Sequence, residues 1–190
     1  MPSKTFLNLD QEKQDRIRKV LIAEFSRHPL AQAQVAPIVK QARIARGAFY
    51  KYFRDLADAY AYVYRLAMDD IHQEIDLTSS RHDADYYAKY IQEFLDGSQD
   101  QGYYSLIRMH LLYNEAFISH PAEQSSSPLQ RTEDQAQPRV WAVAELCHAT
   151  LRDCLVQEHP SPDYQKSRLS RLKACLDLLL KSDSDKGGAD

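Results

Sequence analysis

The sequence predicts an all-α fold, and three observations support this prediction. Glycine is scarce, with five among 190 residues, and two of these, Gly187 and Gly188, lie in the C-terminal tail. No run of β-branched residues alternates with polar ones, as a half-buried strand requires. Apolar residues instead recur every three or four positions over most of the chain, which is the spacing of an amphipathic helix.

Three helices are expected between residues 10 and 53. Asp10 stands where it can cap the first, which ends before Pro29 because proline disfavours helix in the residue preceding it. The apolar stripe of this helix is Ile17, Val20, Leu21 and Phe25. The second helix has the stripe Val35, Ile38, Val39 and Ala42. Gln34 stands where a capping residue is expected. A three-residue break, residues 43–45, leads to the third helix, RGAFYKYF, in which Phe49 and Phe53 share one face.

Longer helices follow these three. Asp55, with Asp58 three residues on, forms a pattern like a capping box at the start of a helix over residues 56–76. Helices are then expected over residues 85–97, around residues 102–118, and over 138–158 and 162–181. The polar, Pro/Ser-rich residues 120–138 predict a loop and residues 182–190 a frayed tail. These patterns divide the chain into an N-terminal domain, residues 1–58, and an all-helical domain, residues 59–190.

Composition excludes several classes of protein. The three cysteines are too few to form a disulfide framework, the N-terminus lacks the apolar core of a signal peptide, and no run approaches the roughly 20 apolar residues of a membrane span. We therefore expect a reduced, cytoplasmic protein with no membrane partner. The sequence contains no GxGxxG, GxxxxGK[ST], HExxH, CxxC or GxSxG motif, and no two histidines lie four apart. We expect no enzyme activity, no catalytic residue, no metal and no cofactor.

Charge is divided unevenly along the chain. Residues 1–65 contain twelve Lys and Arg against six Asp and Glu, a net charge of +6, whereas residues 66–190 have a net charge of −9. A basic N-terminal third followed by acidic residues indicates a polyanionic partner for that third alone. The alternative is a chance difference between helix surfaces.

A short helix, a turn and a second helix that is basic and aromatic form the pattern of a helix-turn-helix. The segment RIRKVLIAEFSRHPLAQAQVAPIVKQARIARGAFYKYF, with the following RDLADAYAYVYR, resembles the N-terminal domain of the tetracycline-repressor (TetR) family of bacterial regulators. The resemblance covers residues 6–65, and its core is IVKQA-x-I-x-RGAFYKYF. The remainder of the chain matches the family only in the number and length of its helices.

The resemblance implies a homodimer that binds a double-stranded DNA operator and is nucleoid-associated when bound. It places Ala45, Arg46, Gly47 and Ala48 against base edges in the major groove, Tyr50, Lys51 and Tyr52 against backbone phosphates, and Ile44, Phe49 and Phe53 in the core. Arginine can pair bidentately with guanine, with about 1–3 kcal/mol of discrimination, whereas phosphate contacts fix register. Two alternatives stay open: one of the two tyrosines packs inward beside Phe49, and Arg46 and Lys51 form an ordinary solvated face.

Three residues depart from the family pattern. Arg43 stands at a turn position that is usually glycine, which costs about 1–2 kcal/mol if the residue is left-handed. Ala45 replaces a capping Ser or Thr, a loss of about 1 kcal/mol. Leu56 replaces a lysine that would contact phosphate, and Arg43 and Arg54 are candidates to replace its charge.

The C-terminal region is rich enough in apolar residues for a second role, sensing a small, largely apolar effector. The candidate ligand-binding residues are Tyr90, Phe94, Met109, His110, Tyr113 and Trp141. The alternative for each is core packing, and for His110 a satisfied core histidine.

The predicted dimer interface is a four-helix bundle formed by the stripes Val140, Val143, Cys147, Leu151 and Cys154 on one helix and Leu169, Leu172, Leu176 and Leu179 on the other. Cys147 and Cys154 share a face, either as buried inert thiols or as a redox switch.

Two functions therefore fit the sequence. The first is a ligand-responsive transcriptional regulator, a repressor that a small effector releases from a palindromic operator. The second is an adaptor with the same fold, whose main partner is another protein and whose specific DNA binding is weak or absent.

Overall fold

The computed structural model describes residues 2–74, 83–117, 138–157 and 161–181. Within these ranges the chain contains nine α-helices and no β-strand. The helices are α1 (Lys4–Leu7), α2 (Gln11–Arg27), α3 (Val35–Ala42), α4 (Arg46–Tyr52), α5 (Leu56–Glu74), α6 (Ala84–Asp100), α7 (Tyr104–Met109), α8 (Pro138–Val156) and α9 (Pro162–Lys181). A π-helical turn, His110–Asn114, and a 3₁₀ turn, Glu115–Phe117, follow α7. The all-α prediction is confirmed and α1 was not predicted. The predicted tail and, apart from Pro138 at the start of α8, the predicted loop lie outside the described residues.

The chain forms two compact units. The first contains Met1–Asp70 and Asp100–Ser119, and the second contains Ile71–Gln99 and His120–Asp190. The first unit therefore extends well beyond residue 58, because most of α5 and all of α7 pack with the N-terminal helices. The functional boundary at residue 58 stays a prediction.

The core of the first unit is built from the predicted apolar stripes. The fully buried side chains include Phe6, Ile17, Leu21, Phe25, Ile38, Phe49, Tyr60 and Leu106. Phe53 is 1% exposed and Ile44 packs against the same core, so the core positions implied by the TetR resemblance are confirmed. Burial of one such side chain stabilises the fold by about 1.5–3 kcal/mol.

The starts of α2 and α5 are capped as predicted. Asp10 accepts a hydrogen bond from the Lys13 backbone N–H at 2.8 Å. Asp55 accepts one from the Asp58 N–H at 2.7 Å, and the Asp58 side chain accepts one from the Arg54 N–H at 3.1 Å. The bonds from Lys13 and Asp58 satisfy backbone donors that the first turn of a helix leaves unpaired, and the bond from Arg54 fixes the residue that precedes the cap of α5.

The second unit contains α8 and α9 packed against each other. Val143, Cys147, Leu151, Cys154, Leu172 and Leu176 are buried within this unit. The prediction that these six residues form the dimer interface is therefore wrong, because they already pack within one subunit. For the other three residues of the predicted stripes, the exposed Val140 and the half-buried Leu169 and Leu179, it stays a prediction. An ion pair between Arg168 and Asp153, at 3.3 Å, also joins α8 to α9.

Candidate nucleic-acid interface

The turn between α3 and α4 is formed by residues 43–45. Arg43 is left-handed, with φ 53° and ψ 49°, and is the one non-glycine residue with positive φ in the described part of the chain. The strain that the sequence predicts for this position is therefore present, at a cost of about 1–2 kcal/mol. The Ile44 N–H donates to the Val39 carbonyl at 3.0 Å and closes the end of α3.

Two side chains of α2 hold α3 in place. α3 has no side-chain cap of its own at Gln34, and the Gln34 N–H donates instead to the Glu24 carboxylate at 3.2 Å. At the other end, the Arg16 Nε donates to the Ala42 carbonyl at 3.2 Å. Neither contact is predicted by the sequence, although the missing cap at Gln34 signals that another element must supply one.

α4 presents two different faces. Phe49, on the inner face, is fully buried, whereas Arg46, Gly47, Tyr50 and Lys51 are exposed. Ala45 caps the helix with extended backbone and makes no side-chain capping bond, as predicted. A Cβ added at Gly47 would meet no atom within 4 Å, so this position leaves room for close approach of another molecule.

The two tyrosines of α4 lie on opposite sides. Tyr50 is 49% exposed, and its ring lies 6.0 Å from the guanidinium carbon of Arg46. Tyr52 is 6% exposed, with its ring centroid 5.9 Å from that of Phe6. The Tyr52 ring packs inward, against Phe6, which supports the alternative that one of the two tyrosines is part of the core. The contact of Tyr52 with phosphate stays a prediction.

The end of α4 and the residues before α5 contribute one cation without an ion pair and one paired cation to this surface. Lys51 forms no ion pair with the described residues, whereas Arg54 pairs with Asp55 at 3.1 Å. The hydrogen bond from the Asp58 N–H, together with Arg54, lowers the pKa of Asp55. Leu56 packs against the core and supplies no charge.

The six candidate ligand-binding residues fall in both units. Tyr90 and Phe94 are buried in the second unit beside His72, and the His72 Nε2 lies 2.8 Å from the Tyr90 hydroxyl. Met109 and His110 are buried in the first unit. Burial of these four residues supports the core-packing alternative, and ligand contact stays a prediction. Tyr113 and Trp141 are each 57% exposed.

His110 belongs to a buried polar cluster in the first unit. Its Nδ1 lies 2.9 Å from the Tyr60 hydroxyl, and its ring stacks on Tyr64 with centroids 3.9 Å apart. Burial raises the pKa of both tyrosines, so they stay neutral. Asn114, one turn on, accepts a hydrogen bond from the Leu30 N–H at 2.9 Å. The cluster therefore ties the segment after α7 to α5 and to the loop before α3.

An open, mostly apolar groove of about 690 Å³ lies along α8 and α9. It is lined by Trp141, Ala142, Leu146, Ala149, Cys175, Leu178 and Leu179, together with one acidic residue, Glu145. Leu178 is 80% exposed, so this face leaves large apolar side chains in water.

The three cysteines differ in exposure. Cys147 and Cys154 are buried, and burial raises the pKa of the Cys147 thiol to about 12. These thiols are therefore unreactive at neutral pH, which supports inert buried cysteine over a redox switch. Cys175 is half-buried and borders the groove.

Other kinds of site are not seen in the described ranges. No three His, Cys, Asp or Glu side chains in them are grouped so as to hold a metal ion. Among the same residues, no helix has both the length and the apolar character needed to cross a membrane.

α3, the turn and α4 form a helix-turn-helix, and the rest of the described chain is helical. Solved transcriptional regulators have this fold. A TetR family transcriptional regulator from Chloroflexus aurantiacus matches with a TM-score of 0.57 and 18% identity, over 96% of this chain and 98% of that one. A protein described as a transcriptional regulator from Streptomyces coelicolor matches with a TM-score of 0.56 and 22% identity, over 88% and 97% of the two chains. No family profile and no curated protein sequence matches the chain. The chain therefore has the fold of TetR family regulators, and the predicted resemblance is confirmed at the level of the fold.

Proposed function

We propose that this chain is a ligand-responsive transcriptional regulator of the TetR family that acts as a repressor. It binds a palindromic operator as a homodimer and is released when a small, largely apolar effector binds. The observation that carries the proposal is the two-faced α4. Its inner face is locked into the core by Phe49, while Arg46, Gly47 and Lys51 are exposed on the outer face.

The exposed face of α4 has the chemistry to read DNA. Arg46 at the start of the helix can pair bidentately with guanine, and Gly47 and the small Ala48 allow the backbone to come close to base edges. Tyr50 and Lys51 contact phosphates and set the register. Ala45, at the start of the helix, has no polar side-chain group and contacts DNA through its backbone alone.

The groove on α8 and α9 supports dimerisation. Its exposed apolar residues, Trp141 and Leu178 among them, are the kind of surface that a second copy covers. A two-fold dimer would hold its α4 helices one turn of DNA apart, about 34–36 Å. The proposed dimer face therefore shares Leu179 with the stripes that the sequence predicts and otherwise consists of neighbouring residues.

Release follows from a shift between two conformations of the dimer. An effector that binds the C-terminal region more tightly in one of the two conformations shifts the dimer toward that conformation. The shift changes the spacing of the α4 helices and lowers the affinity for the operator. DNA must weaken effector binding by the same factor. α5 begins in the first unit and its last residues belong to the second, so it is a candidate to transmit the change.

A second candidate function has specific support. The strained Arg43, the uncapped α4 and the apolar Leu56 all lower the expected affinity for DNA. An adaptor that keeps the fold but binds mainly another protein would tolerate all three.

The salt dependence of DNA binding distinguishes the two candidates. A pool of random duplexes is selected for binding, and the affinity of the selected duplex is measured against salt concentration. For a regulator with two phosphate contacts per subunit, the slope of log affinity against log salt concentration should be steeper than about −3. Arg46→Ala should relax preference at one base pair, and Lys51→Ala should weaken all sequences alike. If the affinity for DNA hardly changes with salt concentration and neither substitution alters it, the adaptor is favoured.

A further inference from the structure

The segment that precedes α1 lies against the C-terminal end of α4. The Ser3 N–H donates to the Tyr52 carbonyl at 2.9 Å, and the Ser3 hydroxyl donates to the Lys51 carbonyl at 2.7 Å. The same hydroxyl accepts a hydrogen bond from the Phe6 N–H at 3.3 Å and so caps α1. One serine therefore joins the start of α1 to the end of α4.

Phe6 fixes this arrangement from the inside. Its side chain is fully buried, and its ring centroid lies 5.0 Å from that of Phe53 and 5.3 Å from that of Tyr62. The segment around Ser3 is therefore attached by two hydrogen bonds and by an aromatic anchor three residues on.

The two hydrogen bonds from Ser3 change the electrostatics of this end of α4. The last carbonyls of a helix carry partial negative charge and have no partner within the helix. Exposed carbonyls of Lys51 and Tyr52 would repel a phosphate. Ser3 occupies both of them with donors, so this end of the helix can lie close to an anion.

Lys4 supplies the positive charge. It follows Ser3 directly, its side chain is exposed, and α1 contains no acidic residue. Across the described ranges, no carboxylate pairs with Lys4 or Lys51. The nearby Asp55 is occupied by Arg54 and by the N–H of Asp58.

We propose that Lys4 binds a backbone phosphate of duplex DNA, next to the phosphate held by Tyr50 and Lys51, and that Ser3 is the residue that positions it. This inference rests on the proposed function. Lys4 thereby supplies a cation near the start of α5, where Leu56 provides none.

The test measures binding to a mixed-sequence duplex of about three helical turns, because phosphate contacts do not depend on sequence. Lys4→Gln removes the charge, and Lys4→Arg restores it. Lys166→Gln is the matched control, since Lys166 is an exposed lysine of α9 in the other compact unit and its loss changes the net charge equally. Ser3→Ala removes the hydroxyl with no change of charge, and Ser3→Thr keeps it.

Loss of one phosphate contact per subunit should make the slope of log affinity against log salt concentration less steep by about 2 for a dimer, and should weaken binding by roughly 60-fold near 0.1 M salt. Lys4→Gln and Ser3→Ala should both show this change, while Lys4→Arg, Ser3→Thr and Lys166→Gln should resemble the wild type. If the wild type binds DNA and Lys4→Gln behaves like Lys166→Gln, this inference is wrong and the proposed function stands. If the wild type shows no salt-dependent binding, both are overturned.

Discussion

Arg16 and Glu24 lie eight positions apart on α2 and close the two ends of α3. Eight residues of helix span about 12 Å, which is also the length of the eight-residue α3. The acidic side chain meets the N-terminal end of α3 and the basic one meets its C-terminal end, so each also complements the helix dipole. α3 has no side-chain cap of its own, and this pair of contacts takes its place.

We predict that Glu24→Ala lowers the free energy of unfolding by about 1–2 kcal/mol, because it removes the carboxylate that accepts from the part-buried Gln34 N–H at the start of α3. Arg16→Ala should cost about 1 kcal/mol. Glu12→Ala is the control, since Glu12 is exposed and only pairs with Arg16 at 3.6 Å, a contact worth about 0.3–0.5 kcal/mol. Urea unfolding of the three variants measures these values, and equal losses for Glu12→Ala and Glu24→Ala would contradict the prediction.

Arg43→Gly should stabilise the protein, because glycine adopts the left-handed conformation of this turn without strain. The matched variant is Arg43→Ala, which removes the same charge and keeps the Cβ that causes the strain. We expect the glycine variant to exceed the alanine variant by about 1 kcal/mol in the free energy of unfolding. Thermal unfolding of the pair tests this, and an alanine variant as stable as the glycine one would refute it.

Ala45→Thr should add the side-chain cap that α4 lacks. The backbone at Ala45 is already extended, as a capping residue requires, with φ −69° and ψ 147°. Ala45→Val has nearly the same shape with no oxygen, so the difference between the two variants isolates the hydrogen bond. We predict that the threonine variant is more stable by about 1 kcal/mol in urea unfolding. No difference between them would show that this end of α4 does not need a cap.

Features encoded by neighbouring residues could be predicted from the sequence. Asp10 and Asp55 cap helices through residues three positions on, and the buried stripe of α2 follows the helical period. The left-handed conformation of Arg43 was predicted from the resemblance to a family in which this position is usually glycine.

Contacts between distant residues could not be predicted in this way. Ser3 meets α4 across 48 positions, and Tyr52 turns inward because Phe6 offers it a partner. α8 and α9 are apolar on more than one face, and periodicity alone does not tell which face packs within the subunit. The inner face was therefore mistaken for the dimer interface.

Acid should weaken the cap of α5. Hydrogen bonding to the Asp58 N–H lowers the pKa of Asp55 in the folded state, so the charged carboxylate stabilises the fold. This contribution is complete above the unfolded pKa of aspartate, about 3.9, and is lost as the pH falls through the lower folded value. Asp55→Asn keeps an acceptor without the charge, and its stability relative to the wild type should be lowest at neutral pH and approach parity once the pH falls below the lowered pKa of Asp55 in the folded state. A difference that is independent of pH would contradict the assignment.

Trp141→Glu should separate the proposed dimer, because it removes a large apolar side chain and adds a second carboxylate, after that of Glu145, to the groove of α8 and α9. Sedimentation should show a dimer for the wild type and a monomer for the variant. Ser170→Glu is the control, since Ser170 lines a different groove and the substitution introduces the same charge.

Thiol labelling gives a second measurement. Cys175 borders the groove and should react faster in the Trp141→Glu variant, whereas the buried Cys147 and Cys154 should stay slow in both proteins. A wild type that is monomeric, with Cys175 labelled equally fast in both, would rule out this face as the dimer interface.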